Sequence, residues 1–180
     1  MNLFILSLIP KEIAEFMMDK HVSKILLEAV QMLCSAKRIL DPEDPINENI
    51  YKLAHKNHPV TIWCRTSKAN FLWTLELIEE IHNEWKYRYN HPEDKNHKSY
   101  VMAQILKKHI PEDNKFEHQC LTPFALAMPD IYKSEDAVVS YRKYYMSDEK
   151  QKIASWKKKR VKPKWYKIKR PKIKLIILDS

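Results

Sequence analysis

The sequence predicts a mainly α protein, a single compact helical domain with a basic C-terminal extension. Three observations lead there. Apolar residues recur at helical spacing through 19–39 and 60–89, and neither run contains a proline. The prolines cluster instead in polar stretches such as 41–49, 57–59 and 111–129, where they end helices. With 180 residues, 44% hydrophobic and 31% charged, the chain can enclose one full core, and no repeat divides it.

The elements follow in order. Leu3–Pro10 is apolar but too short to cross a bilayer, and it lacks the basic start and small-residue cleavage site of a signal peptide, so a buried N-terminal segment is expected. Pro10 suits a helix N1 position and opens a short helix. The run 19–39 is a second helix, 41–49 a loop, and 50–56 one helical turn before the Asn57-His58-Pro59 stop. Residues 60–89 read as the longest helix, with Ile62, Trp63, Leu72, Trp73, Leu75, Leu77, Ile78, Ile81 and Trp85 on its apolar face and Glu76, Glu79, Glu80 and Glu84 in solvent. A helix at 99–109 and a long ordered loop at 112–133 come next. Residues 134–156 read as a helix capped by Ser134, and Leu175–Leu178 as a short strand or docking tail. The organisation expected is a helical catalytic body, 1–156, with a basic aromatic segment, 157–180, packed on it or continuous with it.

Composition excludes several chemistries. There is no glycine, so the turns of a P-loop or a dinucleotide fingerprint cannot be built. Cys34, Cys64 and Cys120 are odd in number and form no CxxC, which argues against a disulfide framework and for a reducing, intracellular compartment. No metal is expected, because His55, His58, His118 and Cys120 lack the ligand number and spacing of a zinc site. Residues 1–141 hold 17 Lys+Arg and 20 Asp+Glu, whereas 142–174 hold 15 and 2. That segregation is the footprint of a polyanion partner.

Three clusters carry chemistry. His21, Lys24, Glu28 and Gln31 share one stripe of a helix whose other positions, Val22, Ile25, Leu26, Ala29 and Val30, are apolar. Placing an imidazole, an amine and a carboxylate on so apolar a helix is costly, which suggests a catalytic stripe; an ordinary Lys24–Glu28 surface pair is the alternative. His58, Arg65, Lys68 and Asn70 punctuate the start of the longest helix, as a phosphate site or as a simple capped start. Lys158, Arg160, Lys164, Trp165 and Tyr166 interleave cations with rings, a pattern suited to phosphates and to stacking on bases, or to a tail docked by its tryptophans.

Taken together, these clusters resemble the pyrimidine-dimer DNA glycosylase family of the phage endonuclease V type. Asp19, His21 and Glu28 stand at the spacing of that family's Asp-x-His and catalytic Glu, and Pro163-Lys164-Trp165-Tyr166 is similar to its Pro-x-Trp-Tyr ending. The Asp-Lys-His, Asn-His-Pro and Ala-Met-Pro-Asp blocks also look like those of uncharacterised proteins of phages and large DNA viruses. The resemblance implies attack by an N-terminal amine on C1′ of a damaged nucleotide, with Glu28 stabilising the sugar cation and then moving protons during β-elimination. His21 and Lys24 would hold Glu28 ionised or contact phosphate, and Trp165 and Tyr166 would assist base flipping. Two positions depart from the family: Asn2 stands where a small residue is exposed by Met removal, and Leu27 where an Arg precedes the Glu. If Met1 stays, Lys24 becomes a rival nucleophile to the amine of Asn2.

The expected function is a DNA repair glycosylase with abasic-site lyase activity on damaged or modified pyrimidines. It would act on double-stranded DNA as a monomer, without a cofactor and away from membranes, in a host cytoplasm or nucleus or in a virion. A viral DNA base-modifying transferase and a non-catalytic nucleic-acid binder are the alternatives.

Overall fold

The computed structural model describes residues 2–168. The protein is mainly α, with no strand among the described residues beyond an isolated bridge between Ser67 and His118. No helix there is long and apolar enough to cross a membrane.

Helix α1 (Pro10–Phe16) starts on Pro10, whose missing N–H costs nothing in a first turn, and ends where Met17 turns extended. Helix α2 (Asp19–Leu40) buries Val22, Ile25, Leu26, Ala29, Val30 and Leu33, the face that periodicity assigns to the core. It lies against α3 (Pro59–Thr66), α4 (Lys68–Tyr89) and α5 (Lys98–Lys108), while α4 also covers α1. Two shorter helices, α6 (Ala137–Tyr145) and α7 (Asp148–Gln151), precede the C-terminal segment.

Several local expectations are corrected. Residues 60–89 form two helices, because Ser67 is extended, at φ −138° and ψ 143°. Its hydroxyl accepts from the Ala69 N–H to cap α4 and donates to the Cys120 carbonyl. The break admits residues 116–122, whose His118 exchanges backbone hydrogen bonds with Thr66 and Lys68. Residues 50–56 contain no helical turn: Ser35 satisfies both the N–H and the C=O of Ala54, which removes the need for a local partner. The loop at 41–49 contains a 3₁₀ turn, Pro45–Asn49, capped by Asp44. Buried Lys37 pairs with Asp41 and Asp44 at 2.8 and 2.6 Å and pins that turn to the end of α2.

Residues 134–156 are likewise not one helix. Asp136, rather than Ser134, caps α6 by accepting from the Val139 N–H, while Ser134 bonds to Ser140. Ser147 then caps the single turn of α7. Glu84, expected in solvent, is buried in α4. The reason is Arg88, whose side chain has 0% exposure and donates to Glu84 and to Asp19 at 2.5 and 3.1 Å and to the carbonyls of Met17, Ala14 and Glu15.

That same ionic cluster fastens the C-terminal segment. Asp19 accepts from the Ser155 hydroxyl and the Lys157 N–H, and Arg160 forks onto Glu84 at 2.7–2.8 Å with a further contact to Glu15. Tyr166 is buried against Trp156 and Tyr145, and the Trp156 indole donates to the Phe16 carbonyl. The strand or docking tail expected at Leu175–Leu178 lies outside the described residues.

Candidate active site

The stripe on α2 meets the N-terminal segment. Asn2 is buried and anchored, its amide donating to the Ala127 carbonyl at 2.6 Å and its Oδ1 accepting from the Leu3 N–H. This directs the backbone N–H of Asn2 at Glu28 Oε2, 2.9 Å away. Phe4 then adopts φ 52°, which in a non-glycine residue costs about 1 kcal/mol or more. Packing holds it there, with its ring stacked on His21 at 5.0 Å and edge-on to Tyr145 at 5.1 Å.

The result is a small polar cleft of about 100 Å³, lined by Asn2, His21, Lys24, Glu28, Tyr144 and Lys150. The Glu28 side chain is 13% exposed and Lys24 63%, with Lys24 Nζ 3.8 Å from Glu28 Oε1. Lys24 therefore stands at the mouth and the carboxylate inside. Lys150 enters from α7, only 13% exposed, its ammonium over the rings of Phe4 and Tyr144 at 5.5 and 5.3 Å. Its stem and charge are held by those two faces. The cleft thus holds one carboxylate and two amines, and beside the carboxylate a backbone nitrogen.

His21 is buried, with Nδ1 2.8 Å from the Tyr145 hydroxyl. Burial pushes its pKa down to about 3, aided by the positive charges of Lys150 and Lys24. It is therefore neutral near pH 7, so it can meet Glu28 or a phosphate only as a hydrogen-bond donor, not as a cation.

Each residue of the second cluster has a partner within the protein. His58 caps α3 by accepting from the Val60 N–H. Arg65, in the last turn of α3, donates to the Lys56 carbonyl, and Lys68, across the Ser67 break, pairs with Asp113. Asn70 has no exposure, and its amide bridges the Trp63 carbonyl, the Thr122 hydroxyl and the Thr122 N–H. It cannot reach DNA; it joins the long loop to α4.

The third cluster divides. Lys158 and Lys164 are exposed, Lys158 lying 6.0 Å over the Tyr89 ring. Arg160 is committed to Glu84 and Glu15, which corrects its assignment as a DNA contact. Tyr166 is buried, and half-buried Trp165 is sandwiched between Phe16 and the Arg142 guanidinium. The Tyr166 ring is therefore not presented for stacking on a base, whereas Trp165 lines an open cleft of about 360 Å³ with Glu15, Phe16, Pro163 and Lys164. Both rings lie against Tyr145, at centroid distances of 6.3 and 6.4 Å, and neither lines the Glu28 cleft.

Lys150, Tyr144 and Tyr145 are the site residues that sequence reasoning missed. The only sign of them was the aromatic density of Tyr141–Tyr145, because nothing local ties this stretch to a helix more than a hundred residues earlier. Among the described residues no group of three or more His, Cys, Asp or Glu could hold a metal ion. The three cysteines are free thiols, and burial raises those of Cys34 and Cys64 to about 12, so both are inert.

No protein-family model matches the chain, and no curated protein or solved structure matches it.

Proposed function

We propose that the protein is a DNA glycosylase with abasic-site lyase activity, acting on damaged or modified pyrimidines through an amine beside Glu28. The observation that carries this reading is the 2.9 Å approach of the Asn2 nitrogen to Glu28 Oε2. Removal of Met1 would make that nitrogen an α-amine, with a pKa near 7.7–8.0 that leaves a useful fraction unprotonated.

The chemistry then balances on residues of this chain. The amine attacks C1′, the C1′–base bond breaks, and the base departs with the electron pair and is protonated from solvent. Glu28 accepts the proton lost from the amine. Glu28 passes that proton to O4′ as the C1′–O4′ bond opens, which gives a Schiff base. The ionised Glu28 then takes a C2′ proton, and the 3′-phosphate leaves by β-elimination with the C3′–O electron pair. Lys24 and Lys150 at the cleft can neutralise a flanking phosphate, and the exposed lysines of 157–167 extend that field over the duplex.

The test is borohydride trapping on ultraviolet-irradiated and on abasic duplexes. A covalent adduct is expected with the intact protein and loss of strand cleavage, by at least about 100-fold, with Glu28→Gln. Peptide mapping of the adduct assigns the amine to Asn2, Lys24 or Lys150. No adduct, together with cleavage indifferent to Glu28→Gln, overturns the reading and leaves a non-catalytic binder.

A further inference from the structure

The reach of the His21 ring is fixed by a buried hydroxyl. Tyr145 lies fully inside the molecule on α6, and the Met18 N–H donates to its Oη at 2.8 Å. That hydroxyl has one proton of its own to give. Among the described residues the other polar atom bonded to it is Nδ1 of His21, also at 2.8 Å. If Nδ1 carried a proton it would have to donate to Oη, and the phenolic proton would then be buried without an acceptor. Such an orphaned donor costs about 1–3 kcal/mol. The consistent arrangement runs one way: Met18 N–H to Tyr145 Oη, and Tyr145 O–H to His21 Nδ1.

We infer that Tyr145 is a positioning residue that fixes His21 as a neutral imidazole protonated on Nε2, a hydrogen-bond donor directed into the Glu28 cleft. With Nδ1 taken by Tyr145 and one ring face covered by Phe4 at 5.0 Å, the Nε2 edge is what His21 contributes to the cleft it lines.

The surroundings oppose any charge on that ring. Lys24 and Glu28 face it from its own helix, Lys150 from α7, and Tyr144 and Tyr145 from α6, so two cations outnumber one carboxylate. Catalytic histidines that act as bases are usually oriented by a carboxylate accepting from Nδ1–H, which stabilises the imidazolium. Here the orienting group is a donor, and it disfavours the imidazolium. His21 is accordingly neither the base of this site nor its phosphate-binding cation. It holds an oxygen of the bound sugar or leaving base as negative charge develops there, and no proton changes owner.

The catalytic half of this inference rests on the proposed glycosylase reading; the tautomer does not. Imidazole ¹⁵N NMR on the full chain is expected to show His21 neutral with hydrogen on Nε2 from pH 8 to pH 5. A ring that titrates between pH 6 and 7, or carries hydrogen on Nδ1, overturns the inference whatever the enzyme does. In Tyr145→Phe the His21 resonances should become a tautomer mixture. On an abasic duplex the single-turnover rate should fall at least about tenfold with DNA affinity unchanged. An unaltered tautomer and rate in a folded Tyr145→Phe would also refute it. If that variant fails to fold, the wild-type spectrum still decides.

Discussion

At the level of single residues, the molecule keeps its charges in two unlike settings. Glu84 is buried, which pushes its carboxyl up, but hydrogen bonds from Arg160 and Arg88 outweigh burial and hold it below its ordinary value. His21 is buried with no anionic partner in hydrogen-bond contact among the described residues, and its pKa is pushed down to about 3. Both groups bind protons more readily in the unfolded chain, so both make stability rise with pH. The windows differ. Stability from His21 is complete above its unfolded value of about 6.5 and is lost as pH falls from there toward 3, at a slope of up to about 1.4 kcal/mol per pH unit. Stability from Glu84 is lost only below about pH 4.3, as pH falls through its depressed folded value. Urea denaturation of His21→Gln between pH 4 and 7 should show a shallower pH slope than wild type. The remaining slope there comes from His82, His91 and His97, which burial also shifts down, and near pH 4 from carboxylates held low, such as Glu79 and Glu84. An unchanged slope would mean that His21 is charged in the folded protein. The Lys24–Glu28 stripe was legible in the sequence because a helix brings i and i+4 together whatever surrounds it. The approach of Asn2 to that carboxylate and the entry of Lys150 into the same cleft were not, since they depend on how distant segments pack.

At the level of elements, α2 was legible almost to its ends, because one uninterrupted apolar stripe meets one continuous core. The break in 60–89 was not, because apolar spacing continues through it and only the short polar side chain of Ser67 marks it. What decides for two helices is the loop that enters there. Ser67 and Asn70 together accept or donate five hydrogen bonds that bind residues 118–122 and the turn between α3 and α4. Asn70 was grouped with phosphate-binding residues on its neighbours' charge, although its own position is inside. Replacing it by leucine strands the Trp63 carbonyl and the Thr122 hydroxyl and N–H. Asn70→Leu should therefore cost about 2–4 kcal/mol in chemical denaturation. On the proposed DNA-binding reading, its DNA affinity, measured where the variant is fully folded, should match wild type. A selective loss of DNA affinity at unchanged stability would return Asn70 to the binding surface.

At the level of the whole molecule, the question is what the cationic C-terminal segment does for the body. Charge segregation made it look like an arm for a polyanion, and its exposed lysines, Lys157, Lys158, Lys159, Lys162, Lys164 and Lys167, suit that use. The same segment contributes structure that its composition concealed. Residues 155–157 close over the N-terminus of α2, Arg160 neutralises buried Glu84, and Tyr166 covers the Tyr145 ring that orients His21. Aromatic residues between lysines serve either purpose equally well on paper; burial separates the two. Truncation after Ala154 would uncover Tyr145 and Phe16, and leave Glu84 with Arg88 as its sole guanidinium partner among the described residues. Losing a buried aromatic alone costs about 3–5 kcal/mol, and each kcal/mol shifts Tm by about 2–4 °C at this chain length. The truncated protein should thus melt roughly 10 °C lower or fail to fold. Reversing Lys158 and Lys164 to glutamate should leave Tm within a few degrees, because neither side chain is buried. It should also reduce the log-log salt slope of DNA binding by about 2, if each lysine meets a phosphate. If truncation instead left Tm unchanged, residues 155–166 would be an arm, and the bonds to Asp19 and Glu84 would contribute nothing to the fold.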